Sequence, residues 1–186
     1  MQDLFFVTTN RNKFEEARKI LEKHGINLQI SELNIQEKKY PTEREVSISK
    51  AYAATKLLKA PLIVEDTGIY FESYNNFPGP NAHIVFDGIG YEGILKLLDG
   101  KNRAAFFSTT VTYIKPGMNP ISFSGECRGK IVEKVSENIS FAYDAVFMPE
   151  GAKKTFSEMT KEEKESFSHR KKALDEFAKW FKESKL

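Results

Sequence analysis

Short apolar runs alternate along this chain with stretches in which apolar residues recur every three or four positions. Leu4-Phe5-Phe6-Val7 is continuous and bounded by polar residues, the pattern of a strand buried on both faces in a mainly parallel sheet. Thr8-Thr9-Asn10 precedes a helix with Phe14, Ala17, Leu21 and His24 on one face, and Gly25 is its expected stop. Leu28-Gln29-Ile30 alternates and reads as a second strand, so the chain opens strand, loop, helix, strand: an α/β beginning. Residues 31–41 are polar and irregular. Thr42 with Glu45 three positions on is a capping box, and its helix turns Val46, Ala53 and Leu57 toward a neighbour until Ala60-Pro61 ends it. Leu62-Ile63-Val64 then runs straight into Glu65-Asp66-Thr67. Gly68 is expected to permit a turn before Ile69-Tyr70-Phe71 resumes an extended run.

Residues 76–81, rich in Asn, Pro and Gly, break the pattern. Ile94, Leu95, Leu97 and Leu98 predict a short helix that stops at Asp99-Gly100. Arg103 to Ile114 is rich in Phe, Thr, Val and Tyr and predicts a long strand. After a turn over 116–120, Ile121 to Val132 alternates, so an antiparallel hairpin is expected, with its glycines marking bends or bulges. A brief strand is expected at Ala145-Val146-Phe147. Thr160 and Glu163 form a second capping box on a short charged helix, and the last helix carries Phe167, Leu174, Phe177, Ala178 and Phe181. No internal repeat or long linker interrupts this. The expectation is one α/β domain over 1–186: a long twisted mixed sheet flanked by helices, in two lobes with a central substrate cleft.

Composition narrows the function classes. The 186 residues are 40% hydrophobic and 29% charged, as in an ordinary globular protein. No apolar run nears the ~20 residues that span a bilayer, and the N-terminus does not read as a signal peptide. Cys127 is the single cysteine, which leaves no internal disulfide and no Cys/His set for zinc. The expected place is the cytoplasm, with no membrane partner. A net charge of +2 is too small to argue for nucleic acid as a general partner.

Four stretches could carry chemistry. The Thr8, Thr9, Asn10, Arg11, Asn12, Lys13 segment joins a buried strand to a helix, where free N–H groups and the helix dipole suit an anion. Asn10 could cap that helix or donate to a phosphate. It is not a P-loop, because the glycines are missing. Glu65 and Asp66 stand at the carboxyl end of a strand, where open α/β sheets bind ligands; such acids hold Mg²⁺ or take a proton from water. Adjacent strand residues point to opposite faces, so the two acids should part company. Ser168-His169-Arg170-Lys171 opens the last helix, with Arg170 suited to phosphate or a base and His169 to a ring carbonyl; a solvated basic face explains the same residues. Phe141, Ala142, Tyr143 and Asp144 could sandwich and read a purine, or form core and turn. His24 and His83 read as structural.

The ordered set T-T-N-R-N-K, V-E-D-T-G-I, P-G-P-N-A, F-A-Y-D-x-V-F and S-H-R-K-K-A-L, from Leu4 to Phe181, resembles the inosine triphosphate pyrophosphatase family. Ser157-Glu158-Met159-Thr160-Lys161-Glu162-Glu163-Lys164 fits a further family segment. The resemblance implies a two-lobed α/β homodimer that hydrolyses ITP, dITP and XTP to the monophosphate and pyrophosphate with Mg²⁺. It implies that residues 8–13 hold the phosphates and that Asp66 is the general base. Asp66 with Glu37, and Glu65 as an alternative ligand, holds the metal; Lys50, Thr67 and Lys164 contact substrate; Phe141 to Asp144 and His169-Arg170 form the base pocket. Thr9, Glu65, Ala142 and Lys171 stand where many relatives have Gly, Asp, Gly and Gly. Two other classes compete: a nucleotide-binding or sensing module without turnover, and a nucleic-acid binder using the basic face of the last helix.

Overall fold

The computed structural model describes residues 4–137 and 142–184. Its elements are β1 (Leu4–Val7), α1 (Arg11–Lys23), β2 (Leu28–Ser31), α2 (Glu43–Leu58), β3 (Leu62–Phe71), β4 (Phe77–Gly79), α3 (Ala82–Leu97), β5 (Ala104–Ile114), β6 (Ile121–Ile131), β7 (Phe147–Pro149), α4 (Lys161–Phe167) and α5 (His169–Glu183). The seven strands form one sheet in the order β2-β1-β3-β5-β6-β7, with β4 paired to β3. β1 is parallel to β2 and β3, whereas β4 and β7 pair antiparallel with β3 and β6. The sheet is therefore mixed, and the α/β expectation holds. Thr110–Ser124 and Thr112–Ser122 hydroxyl pairs step in opposite directions along β5 and β6, as an antiparallel hairpin requires.

The chain divides into two compact units. The first comprises residues 1–67, 109–125 and 169–186; the second comprises 68–108 and 126–168. In the first, Leu4, Phe6, Ile63, Val111 and Tyr113 pack against Ala17 and Leu21 of α1 and Ala173, Leu174 and Phe177 of α5. The other sheet face, with Val7, Leu62, Val64 and Ile114, packs on Ala51 and Ala54 of α2. The second unit has its own core around Phe71, Ile94, Phe107, Ile131, Phe147 and Phe156.

Local rules set the ends of these elements. Asn10 caps α1 by accepting from the Lys13 N–H at 3.1 Å, and Gly25 leaves the helix at φ +73°. Thr42 caps α2 by accepting from the Glu45 N–H, and Thr160 with Glu163 closes the capping box of α4.

Several expectations change. Gly68 makes no turn, since β3 is continuous from Leu62 to Phe71. A Cβ there would lie 2.8 Å from the Gly79 carbonyl carbon, so glycine is needed for β4 to come close. Gly125 and Gly129 likewise mark close approach within an unbroken strand instead of bends: a Cβ on Gly125 would meet the His169 carbonyl oxygen at 2.3 Å, and one on Gly129 the Met148 oxygen at 2.3 Å. The short helix near Ile94 is the second part of α3, which begins at Ala82 and breaks at Gly90 (φ 59°, ψ −166°). The brief strand is Phe147–Pro149, two residues later than predicted. Phe167 ends α4 and does not belong to the last helix, because Ser168 leaves helical geometry.

Candidate active site

The acid pair stands where β1 has run out. Phe6 pairs with Ile63, so continuing that register puts Glu65 level with Thr8. Alternation along β3 then separates the two carboxylates. Ile63 faces α1 and α5, so Glu65 does too; Val64 faces α2, so Asp66 does too.

Glu65 is 3% exposed and fully engaged. Arg170 grips it with both prongs, Nε to Oε2 at 2.8 Å and Nη2 to Oε1 at 3.0 Å. Lys13 Nζ lies 3.1 Å from Oε1, and the Thr67 hydroxyl donates to the same oxygen at 3.0 Å. Burial alone would push this carboxyl up, but Arg170 and then Lys13 hold it well below the usual carboxylate range. Arg170 is buried as well, and its remaining prong binds Glu16. Its guanidinium is raised above its ordinary value despite the cost of burial, because Glu65 and Glu16 stabilise the charge.

Asp66 has the opposite surroundings. It is 8% exposed, and its Oδ2 has no hydrogen-bond partner among the described residues. Burial pushes its pKa up to about 7; Lys13 and Lys50 pull it down, while Glu37 and Glu65 push it further up. A carboxylate that titrates near neutrality can take and return a proton at working pH. Lys50, on α2, pairs with Glu37 and approaches the Glu65 carbonyl oxygen at 3.5 Å. These charges belong to one compact unit: Glu65 and Asp66 in the middle of β3 and not at its carboxyl end as expected, Glu37 in the segment before α2, and the others on α1, α2 and α5.

The first turn of α1 holds no acidic residue, so its dipole faces the 8–13 loop unopposed. Thr8 accepts from the Asn10 N–H at 3.1 Å. Thr9, Arg11 and Asn12 are exposed, and Arg11 pairs with Glu32. The Thr67 hydroxyl also meets that of Thr109 at 2.8 Å.

The remaining predicted residues fall in both units. His169 is buried at the start of α5, in the first. In the second, Asp144 is buried and pairs with Lys164, whose ammonium sits over the Phe156 ring. Tyr143 is buried and donates to the Ala82 carbonyl at 2.8 Å, with its ring near Phe71 and Phe86. Burial raises its phenol above the ordinary value. Ala142 packs partly buried against the same core. Phe141 lies outside the described residues.

Glu16 and Thr109 were not predicted. Glu16 is three residues beyond Lys13 on one helix face, a spacing that could have flagged it. Thr109 gave no signal within its hydroxyl-rich strand.

Two oxygen donors, Asp66 and Glu37, suit a hard cation shared with substrate phosphates. No group of three or more His, Cys, Asp or Glu side chains placed to hold a metal ion occurs among the described residues, so a self-sufficient metal cage is absent there. The open Oδ2 of Asp66 is the observation that fits Mg²⁺ held together with a ligand.

An open mixed sheet with two acids in β3 just beyond the end of β1, faced by lysines and an arginine, defines an α/β protein built for an anionic, phosphate-bearing ligand. Residues 4–180 match the family model of the Ham1 family, and the chain belongs to that family. A dITP/XTP pyrophosphatase of Methanopyrus kandleri is 44% identical over 180 residues, covering 96% of each chain. One from Thermococcus kodakarensis is 40% identical over 182 residues, covering 97% of this chain and 98% of its own. Among solved structures, a HAM1 protein from Coxiella burnetii has a TM-score of 0.85 at 23% identity, covering 98% of this chain and 100% of its own. At that identity the likeness speaks for the fold.

Proposed function

We propose that the chain hydrolyses non-standard purine nucleoside triphosphates (ITP, dITP and XTP) to the monophosphate and pyrophosphate, removing them from the nucleotide pool. Family membership and the dITP/XTP pyrophosphatase relatives support the reaction class. The observation that carries the mechanism is the contrast between two neighbouring acids, one fully paired and one with an open oxygen and a pKa of about 7.

In this reading Asp66 takes a proton from a water that attacks the α-phosphorus in line. Lys13 and Lys50 face the charge that develops on departing pyrophosphate; at an effective dielectric near 20, each such contact at ~4 Å is worth roughly 4 kcal/mol. The 8–13 loop supplies N–H groups at the start of α1 for phosphate oxygens. Thr67 and Lys164 contact the substrate. Phe141, Ala142, Tyr143, Asp144 and His169 recognise the base, whose 6-oxo group separates it from adenine; Arg170, expected among them, has its guanidinium nitrogens taken by Glu65 and Glu16. Donors matched to that oxo group would be left unpaired by a 6-amino group, which penalises the wrong base. Asp66 with Glu37 would hold Mg²⁺, which when bound neutralises phosphate oxygens. The same reading takes the chain as one catalytic domain over 1–186, working as a homodimer in the cytoplasm without nucleic-acid or membrane partners.

A panel of ITP, dITP, XTP, GTP and ATP, assayed for pyrophosphate with Mg²⁺ present, tests this. Release from the first three is expected. Tight ITP binding without release would favour a sensing module instead.

A further inference from the structure

Glu65 has a full set of partners. Its Oε1 receives Lys13 at 3.1 Å, Thr67 at 3.0 Å and Arg170 Nη2 at 3.0 Å, and its Oε2 receives Arg170 Nε at 2.8 Å. A carboxylate offers about four acceptor sites, two on each oxygen, so Oε1 is saturated by its three donors and Glu65 is committed chiefly to the protein's own cations. Arg170 cannot swing away easily, since its third nitrogen is tied to Glu16. The hub is therefore rigid on one side. On the other side Lys13 keeps a 23% exposed side chain and borders the 8–13 loop. Its long flexible stem would otherwise sample many rotamers.

We propose that Glu65 is a positioning residue: anchored by the two-pronged Arg170 contact, it holds the Lys13 ammonium at one place beside the phosphate-binding loop. The proposal rests on the reading above for what Lys13 does, and it assigns Glu65 to Lys13 instead of to the metal. Two consequences follow from charge and geometry. Glu65 partly neutralises Lys13, so it weakens ground-state attraction for polyphosphate. It also fixes Lys13 where charge develops during cleavage, so it favours turnover.

The test is a double-mutant cycle with Glu65→Gln and Lys13→Met, read in two ways. Pyrophosphate release from ITP gives kcat and KM, and calorimetry gives tripolyphosphate affinity of the metal-free protein. Glu65→Gln is expected to lower kcat about tenfold, the cost of an imprecisely placed group, without raising KM. It should also bind tripolyphosphate at least as tightly as the wild type. Both effects should shrink to less than about twofold in the Lys13→Met background, because the two residues act as one unit. Equal losses in both backgrounds, or weaker tripolyphosphate binding in Glu65→Gln, would overturn the proposal, since a general loosening of the fold gives that pattern. Should Glu65→Gln fail to fold, Glu65→Gln/Arg170→Gln removes the buried charge left behind and carries the same cycle. A wild type that binds tripolyphosphate with the expected coupling but releases no pyrophosphate would overturn the hydrolase reading and leave the Glu65–Lys13 link standing.

Discussion

Glu65 and Asp66 are covalent neighbours with opposite electrostatic fates, and that difference is the basis for placing the chemistry on Asp66. Asp66→Asn should leave the fold intact and reduce pyrophosphate release by orders of magnitude, because an amide cannot take the proton. Near wild-type turnover in that variant would remove Asp66 from the role. The same substitution has a stability signature in metal-free protein. The carboxyl has an ordinary value of 3.8 and a folded value of about 7. The folded chain thus binds the proton more tightly than the unfolded one, and the stability that protonated Asp66 contributes is fully present below 3.8 and lost as pH rises to about 7. Asn does not titrate. The stability difference between variant and wild type should therefore grow across that window and level off above it, as urea unfolding at several pH values would show. A difference that stays flat over the window would mean that Asp66 is not raised.

At the scale of elements, position is set by close backbone approach and by caps. α5 starts against Gly125, where a Cβ would meet the His169 oxygen at 2.3 Å and the Ala173 nitrogen at 2.7 Å. Neither contact can be relieved by a side-chain rotation, and the first turn of α5 carries Arg170. Gly125→Ala should cost about 1–3 kcal/mol of overpacking, with a further fall in kcat as Arg170 shifts from Glu65; thermal melts and kinetics on one preparation read both. Thr160 caps the short helix that carries Lys164. Thr160→Ala should cost about 1 kcal/mol, measured by the shift in denaturation midpoint. Sequence was a good guide to these ends wherever the signal was local, as at Thr42, Thr160 and Asn10. It misled where the reason was non-local. Gly68 looked like a turn and is a contact with β4; Gly88, Gly90 and Gly93 diluted the apolar pattern of α3 and hid its first half.

At the scale of the molecule, each compact unit has its own apolar core. The binding and sensing alternatives separate from the enzyme by ligand-linked stability. In Asp66→Asn with Mg²⁺, ITP should raise the melting temperature without being consumed; at a hundredfold excess over Kd the gain is about 2.7 kcal/mol. ATP at the same concentration should give a smaller shift if the base is read through its 6-oxo group. Equal shifts for both nucleotides would place recognition in the phosphates alone.

The sequence by itself determined most of the strand and helix order, the caps, and the delivery of two adjacent acids by an apolar strand. Each follows from periodicity and side-chain chemistry within a few residues. It also determined that Glu65 and Asp66 face opposite sides, because a strand alternates. Only the tertiary structure decided which acid is neutralised and which stays open. Arg170 reaches Glu65 across 105 positions of sequence, and Lys13 comes from the first helix. A carboxylate's pKa depends on burial and on charges brought together by the fold, and no local pattern encodes those distances.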